Sequence, residues 1–185
     1  MKEVSFGYHY FSIAILFRNS KLVSGMLCSI ETVYGLSNAH IEQLEQCDRM
    51  LMRKVFNCVS STAIESYYLE ANILPFRFIV VARRLMYYWN ILHKSDSELV
   101  RQVLVTQQLS PVKNDWCLQV DEDIQLSESD ISQMKKSKFK SLVSKQVREL
   151  ARQYLIRLKQ KHTKSAGLSE DYLMQSYLTS DEMTI

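Results

Sequence analysis

The chain contains only four glycines and two prolines among its 185 residues. That leaves little material for the tight turns of a β-sandwich or barrel. Leu, Lys, Gln, Glu, Arg and Met dominate over β-branched runs, which favours helices. Gly7, Gly25, Gly35 and Gly167 stand apart from one another, so no glycine-rich phosphate loop is available. No Asp-Asp dipeptide occurs, so the acidic turn of a two-metal polymerase or nuclease is missing. Cys28, Cys47, Cys58 and Cys117 lie singly, without a CxxC pair, and are expected to be buried free thiols in a reducing compartment. His9, His40, His93 and His162 are equally scattered, with no i, i+4 pair on one expected helix, so no metal site is expected. No local motif selects a Ser–His or Cys–His nucleophile. Together these absences argue against an independent enzyme and imply no cofactor.

Long apolar runs are scarce as well. The stretches Ser12 to Phe17 and Phe78 to Ala82 fall far short of the ~18–20 residues that a membrane span requires. Lys2 and Glu3 precede aromatic and polar residues rather than the apolar core of a secretory signal. No membrane partner is expected, and the location implied is intracellular, nuclear or cytoplasmic. The hydrophobic content of 46 % is ordinary for a globular chain with a real core.

What the sequence does have is charge of one sign in one place. Between Lys135 and Lys164 lie eleven of the 23 basic residues against one of the 20 acidic ones, Glu149. The segment carries +10 and the remainder −7, so the net +3 hides a dipolar molecule. At 100° per residue Phe139, Val143, Val147, Leu150, Tyr154 and Leu158 share one face of a helix. Lys138, Lys145, Arg148, Arg152 and Lys159 share the other, four of them in seven-residue register. Ordinary solvated faces mix both signs. A polyanion is therefore the first partner to consider.

The expected class is all-α, an irregular multi-helix bundle with one long basic amphipathic helix. A first helix is expected from about Tyr8 to Tyr34. A second follows, capped by Ser37 or Asn38 and stopping around Asn57 to Ser60, with Ile41, Leu44, Leu51, Met52, Val55 and Phe56 inward. Glu42, Glu45, Asp48, Arg49, Arg53 and Lys54 are expected outward. Thr62 to Glu65 forms a capping box for a short helix ending by Asn72, which tolerates a left-handed terminus. Pro75 to His93 is apolar nearly all round and should be the central buried helix. Its run Tyr87, Tyr88, Trp89 reads mainly as core, with base stacking as the alternative. Arg83 and Arg84 either pair with Glu65 or Glu70 inside the bundle or join Arg49, Arg53, Lys54 and Arg77 in a second basic surface. Further helices are expected over Ser97 to Gln108, within the acidic segment Pro111 to Gln125, after the capping residues Ser127 to Asp130, over Ser137 to His162, and over Ser169 to Leu178. Asp121, Glu122 and Asp123 read as a charge run on a surface helix.

Several segments resemble a known family. They are Phe17 to Ser24 (FRNSKLVS), His40 to Phe56 (HIEQLEQCDRMLMRKVF), Ser61 to Glu65 with Tyr68 to Glu70, Ile73 to Arg77 (ILPFR), Arg83 to Trp89 (RRLMYYW), Asp115 with Trp116, and Lys138 to Lys140. They are similar to the region after the catalytic palm in reverse transcriptases of non-LTR retrotransposons from invertebrates, over about Tyr10 to Leu178. The resemblance implies a thumb-like helical domain over 1–110 and a connector over 111–185, which grip template and primer while the palm polymerises. The palm's catalytic aspartates and the downstream Cys/His zinc element of that family have no counterpart here. The expectation is a piece of a longer reading frame that binds RNA or an RNA–DNA hybrid and performs no catalysis. Its other partners would be the missing palm or an acidic protein. The nucleic-acid contacts would come from Lys138, Lys145, Arg148, Arg152 and Lys159, with Arg53, Lys54, Arg83 and Arg84. A rival reading is a helical interaction module whose basic face docks an acidic partner or the chain's own acidic segment Asp115 to Asp130; a relic without selected function is a third.

Overall fold

The computed structural model describes residues 12–32, 36–55, 63, 65, 68–69, 72–112, 115–124 and 126–165. Among them the chain is helical and contains no β-strand. The expected helix over Ser169 to Leu178 lies outside the described residues.

The first helical run, α1, covers residues 12–26 and passes through a π-helical stretch at Arg18–Val23. Val23 lies five positions beyond Arg18, and both are buried. An α-helix would splay them by about 140°, whereas the wider π turn, hydrogen-bonded i to i+5, narrows that angle and brings both towards the body. The run ends earlier than Tyr34, at a turn where Ser29 has a φ of 56°, followed by a 3-10 turn at Ile30–Thr32. The stretch from Ser12 to Thr32, 21 residues with mean hydropathy 1.3 and 17 % burial, is by length and composition long and apolar enough to cross a membrane, although its continuous apolar runs are short. Continuous apolar runs understated it, because Arg18, Asn19, Ser20 and Lys21 interrupt a stretch that is apolar on average. Core helices and signal sequences meet the same criterion, and here Arg18, Val23 and Leu27 dock the run on the body while Ile13, Leu16 and Phe17 face outward.

Helix α2 (Asn38–Val55) starts where Ser37 places its hydroxyl 3.4 Å from the His40 N–H, as a capping residue should. Its inward line includes Met52 but also Glu45 and Asp48, which are 3 % and 0 % exposed. That overturns their outward assignment. The cause is a pair of arginines. Arg18 donates from Nε and Nη2 to the two Asp48 oxygens at 2.7 and 2.6 Å, and Nη2 also reaches the Leu74 carbonyl at 2.9 Å. The Tyr68 hydroxyl donates to the same carboxylate at 2.6 Å. Arg77 grips Glu45 through Nε and Nη2, both at 2.7 Å. Two-pronged guanidinium–carboxylate pairs of this kind satisfy most of each partner's hydrogen-bonding capacity. Burial, then the Asp48 charge, holds the Tyr68 phenol well above its usual range.

Asn72 adopts a φ of 53°, the left-handed conformation expected where the short helix ends. Pro75 then caps α3 (Phe76–Leu92), which buries Phe76, Phe78, Val80, Ala82, Leu85, Tyr88, Ile91 and Leu92 and is the central element. Around it pack α4 (Leu99–Leu109), α5 (Trp116–Asp123), α6 (Glu128–Gln133) and the long α7 (Lys136–Ser165). Asp115 caps α5, accepting from the Trp116 N–H at 2.7 Å, and Ser127 caps α6, accepting from the Asp130 N–H at 3.2 Å. One apolar cluster joins Met52, Phe78, Leu85 and Leu104 to Trp116, Phe139, Val147 and Leu155. A division at residue 110 therefore does not separate two cores. Cys117 is buried as expected, but Cys28 and Cys47 are exposed, since both fall on outward faces.

In α7 the buried line is Phe139, Val143, Val147, Ala151 and Leu155. It steps by four throughout, the ridge that packs across a neighbouring helix at an angle. The expected face shifted to a step of three after Val147, and Leu150 is in fact 43 % exposed. Tyr154 keeps a role beside the ridge. Its ring meets Phe78 edge-on at 5.5 Å and lies under the Arg77 guanidinium at 4.5 Å.

Two substitutions separate these readings of α7. Leu155→Ala should cost about 2–5 kcal/mol in urea unfolding, whereas Leu150→Ala should stay within about 0.5 kcal/mol. Asp48→Ala should cost about 3–5 kcal/mol, because it strands a buried guanidinium. The paired replacement Arg18→Met with Asp48→Leu should lose less than Asp48→Ala alone in the same unfolding measurement.

Candidate nucleic-acid interface

The ridge geometry decides which basic residues of α7 face solvent. Lys138 and Lys145 are exposed, together with Lys135, Lys136 and Lys140. Arg148, Arg152 and Lys159 are half-buried. Arg152 and Lys159 each have an interaction partner, and the Arg148 Nε is enclosed without a hydrogen-bond partner. Lys159 is the next step of four beyond Leu155, which is why the seven-residue register does not stay on one exposed face. The expected stripe is interrupted: an exposed lysine cluster opens the helix, and Arg157 and Lys161 are exposed again towards its end.

The structure does not assemble the second basic surface. Arg84 is 6 % exposed and its Nη1 lies 2.7 Å from Asp123. Arg83 donates to the Leu27 carbonyl and lies 4.0 Å from Glu31. Their partners among the described residues are thus Asp123 and Glu31, while Glu70 lies outside the described residues. Arg49 pairs with Glu42 at 2.6 Å and Arg77 with Glu45 at 2.7 Å. Only Lys54 of that set is exposed; Arg53 is half-buried. Acids on neighbouring elements neutralise Arg77, Arg83 and Arg84, an arrangement that sequence spacing alone does not display, and Glu42 does so for Arg49 within α2.

The acidic segment does not cover the lysine cluster either. Asp123 holds Arg84, Glu128 holds Arg101 at 2.9 Å, and Asp130 bonds the Ser127 hydroxyl at 2.5 Å. Lys135, Lys136, Lys138, Lys140 and Lys145 make no ion pair among the described residues. No acid stands in the first turn of α7. A helix N-terminus already carries about half a positive charge, so each lysine there is opposed by on the order of 0.3–1 kcal/mol at low salt. Among the described residues no carboxylate forms an ion pair with the cluster.

The start of α7 also abuts the end of α3. The Trp89 indole N–H donates to the Met134 carbonyl at 3.1 Å, and the Lys136 ammonium lies 5.7 Å from the Trp89 ring centre. His93 stacks on Trp89 with ring centres 3.7 Å apart and planes 23° apart. Of the aromatic run, Tyr88 is buried, and Tyr87 is half-buried and meets Trp116 edge-on at 5.7 Å. The stacked pair was legible as an i, i+4 aromatic spacing at a helix end, but a search for histidine pairs overlooks a histidine paired with tryptophan.

Other chemistry finds less support. No group of three or more His, Cys, Asp or Glu that could hold a metal occurs among the described residues. A cavity of about 330 Å³ between α1 and α3 is lined by Val23, Leu74, Ile79, Met86, Arg18 and Arg83, and both guanidiniums already have partners. Comparison with family models, with curated proteins and with solved structures finds no match.

Asp123 is the one residue of the acidic run that the fold uses. Burial outweighs the attraction of Arg84 and pushes its carboxyl up to about 6. Because the folded value lies above the ordinary one, this group's contribution favours folding most at acid pH and is lost as pH rises through about 6. Unfolding free energy should therefore fall more between pH 4 and pH 7 in the wild type than in Asp123→Asn, as read by urea titrations at the two pH values.

Proposed function

We propose that the chain is a non-catalytic helical piece of a retroelement reverse transcriptase that grips RNA or an RNA–DNA hybrid by its phosphates, inside the cell, in the nucleus or cytoplasm. The observation that carries this reading is the group of five exposed lysines, Lys135, Lys136, Lys138, Lys140 and Lys145, without an ion pair among the described residues, the first three of them standing against the dipole at the start of the helix. Phosphates relieve both repulsions at once and release counterions as they bind. The sequence resemblance to the region beyond the palm points to the same partner. Half-buried Arg148, Arg152 and Lys159 extend the same helix away from that cluster, and Arg53 with Lys54 lie on α2. The grip reads backbone charge rather than base sequence.

The test is fluorescence anisotropy with a short RNA hairpin and an RNA–DNA hybrid across a salt series. Neutralising about five phosphates should give a slope of log K against log salt of roughly −3.5 to −4.5. Replacing Lys135, Lys138, Lys140 and Lys145 by Gln should flatten that slope and weaken binding while the helical circular dichroism stays unchanged. Absence of binding by folded wild type, or an affinity indifferent to salt, would overturn the reading.

A further inference from the structure

We infer that the Trp89–His93 stack is a platform for one unpaired nucleobase, set beside the lysines that hold the phosphates; this rests on the function proposed above and narrows its substrate to strands with an unpaired end or junction. Three observations carry it. First, the stack is rigid. The His93 Nδ1–H donates to the Trp89 carbonyl at 2.8 Å, and the Trp89 indole N–H is tied to the Met134 carbonyl at 3.1 Å, so neither ring is free to turn. Second, it is open. His93 is exposed at the C-cap of α3, with one ring face against Trp89. Third, it is sited where the charge is, since Lys136 lies 5.7 Å from the Trp89 ring centre and opens the lysine cluster of α7.

A flat aromatic face next to a cationic groove is the combination that binds single strands, where every base offers a π-face and the phosphates supply the charge. Histidine and tryptophan both serve as stacking surfaces for splayed bases. A duplex keeps its internal bases stacked on one another and presents a free base face only at an end. Phosphate contact by the lysines and base contact by His93 therefore make separable contributions: the first sets the salt dependence, the second sets a preference for unpaired bases.

The experiment uses one RNA hairpin in two forms, with a 3′ overhang of three uridines and with an overhang of three abasic nucleotides. Both carry the same phosphates. Wild type should bind the uridine form more tightly by roughly 5- to 100-fold, the range for stacking one base. His93→Ala should remove that preference while leaving the salt slope as it was, and His93→Phe should restore it. Equal affinity of the wild type for both hairpins would overturn the platform and leave the phosphate grip standing, as would a His93→Ala variant that still prefers uridine. No binding of either hairpin would overturn both.

Discussion

The Arg18–Asp48 pair is the interaction on which the other contacts lean. Both side chains are essentially withdrawn from water, at 1 % and 0 % exposed, so each would be costly alone. The pair persists because its geometry is complete. Two prongs join guanidinium and carboxylate, the Leu74 carbonyl takes a third donor, the Tyr68 hydroxyl takes the second lone pair of Asp48, and the Phe76 ring lies 5.2 Å from the guanidinium carbon. Four stretches of chain meet there: α1, α2, the segment with Tyr68, and the entry to α3. A hydrophobic contact would tolerate sliding between them, but a two-pronged ion pair does not. The π-helical turn in α1 follows from that demand, since it puts Arg18 and Val23 on the body together.

Fixing α3 in this way fixes α7, because the two helices share the largest interface. Arg77 continues the chain of contacts, holding Glu45 on one side and lying over the Tyr154 ring on the other. The ridge from Phe139 to Leu155 then sets the rotation of the long helix about its axis. Rotation decides exposure, and exposure decides which charges a partner can reach. The basic helix is therefore not a uniform stripe: its beginning is open, while Arg148, Arg152 and Lys159 in its later turns are drawn towards the body.

The parts legible in the sequence were those governed by local chemistry. Asn72 at a helix end, Ser37 and Ser127 at helix starts, and the apolar helix after Pro75 all depend on a few neighbouring residues, and each is found where local rules put it. What went astray depended on partners distant in sequence. Glu45 and Asp48 were sent outward on polarity alone, although they lie on the inward line of α2 with Met52. An arginine in an otherwise apolar helix was the matching signal, because opposite charges at apolar positions have only one another to satisfy them. Leu150 and Leu155 are alike in composition; only the crossing of α7 over α3 distinguishes them. The basic cluster was legible as charge, and its division into open and engaged residues was not.

The same division bears on what the lysine cluster means. A purely structural amphipathic helix would gain by placing acids in its first turn and bases in its last, where the helix dipole favours them. Here the first turn has no acid and is rich in lysine, while acids just upstream in α6 and α5 are engaged elsewhere, Glu128 with Arg101 and Asp123 with Arg84. Those acids are close in sequence and still form no ion pair with the lysines among the described residues, because each is drawn to an arginine of the body. Folding stability comes from the ridge beneath, where Phe139 and Val143 are buried. A site whose burial and whose charge are carried by different faces of one helix can bind and release a polyanion without unfolding, and that separation is what a strand-gripping surface requires.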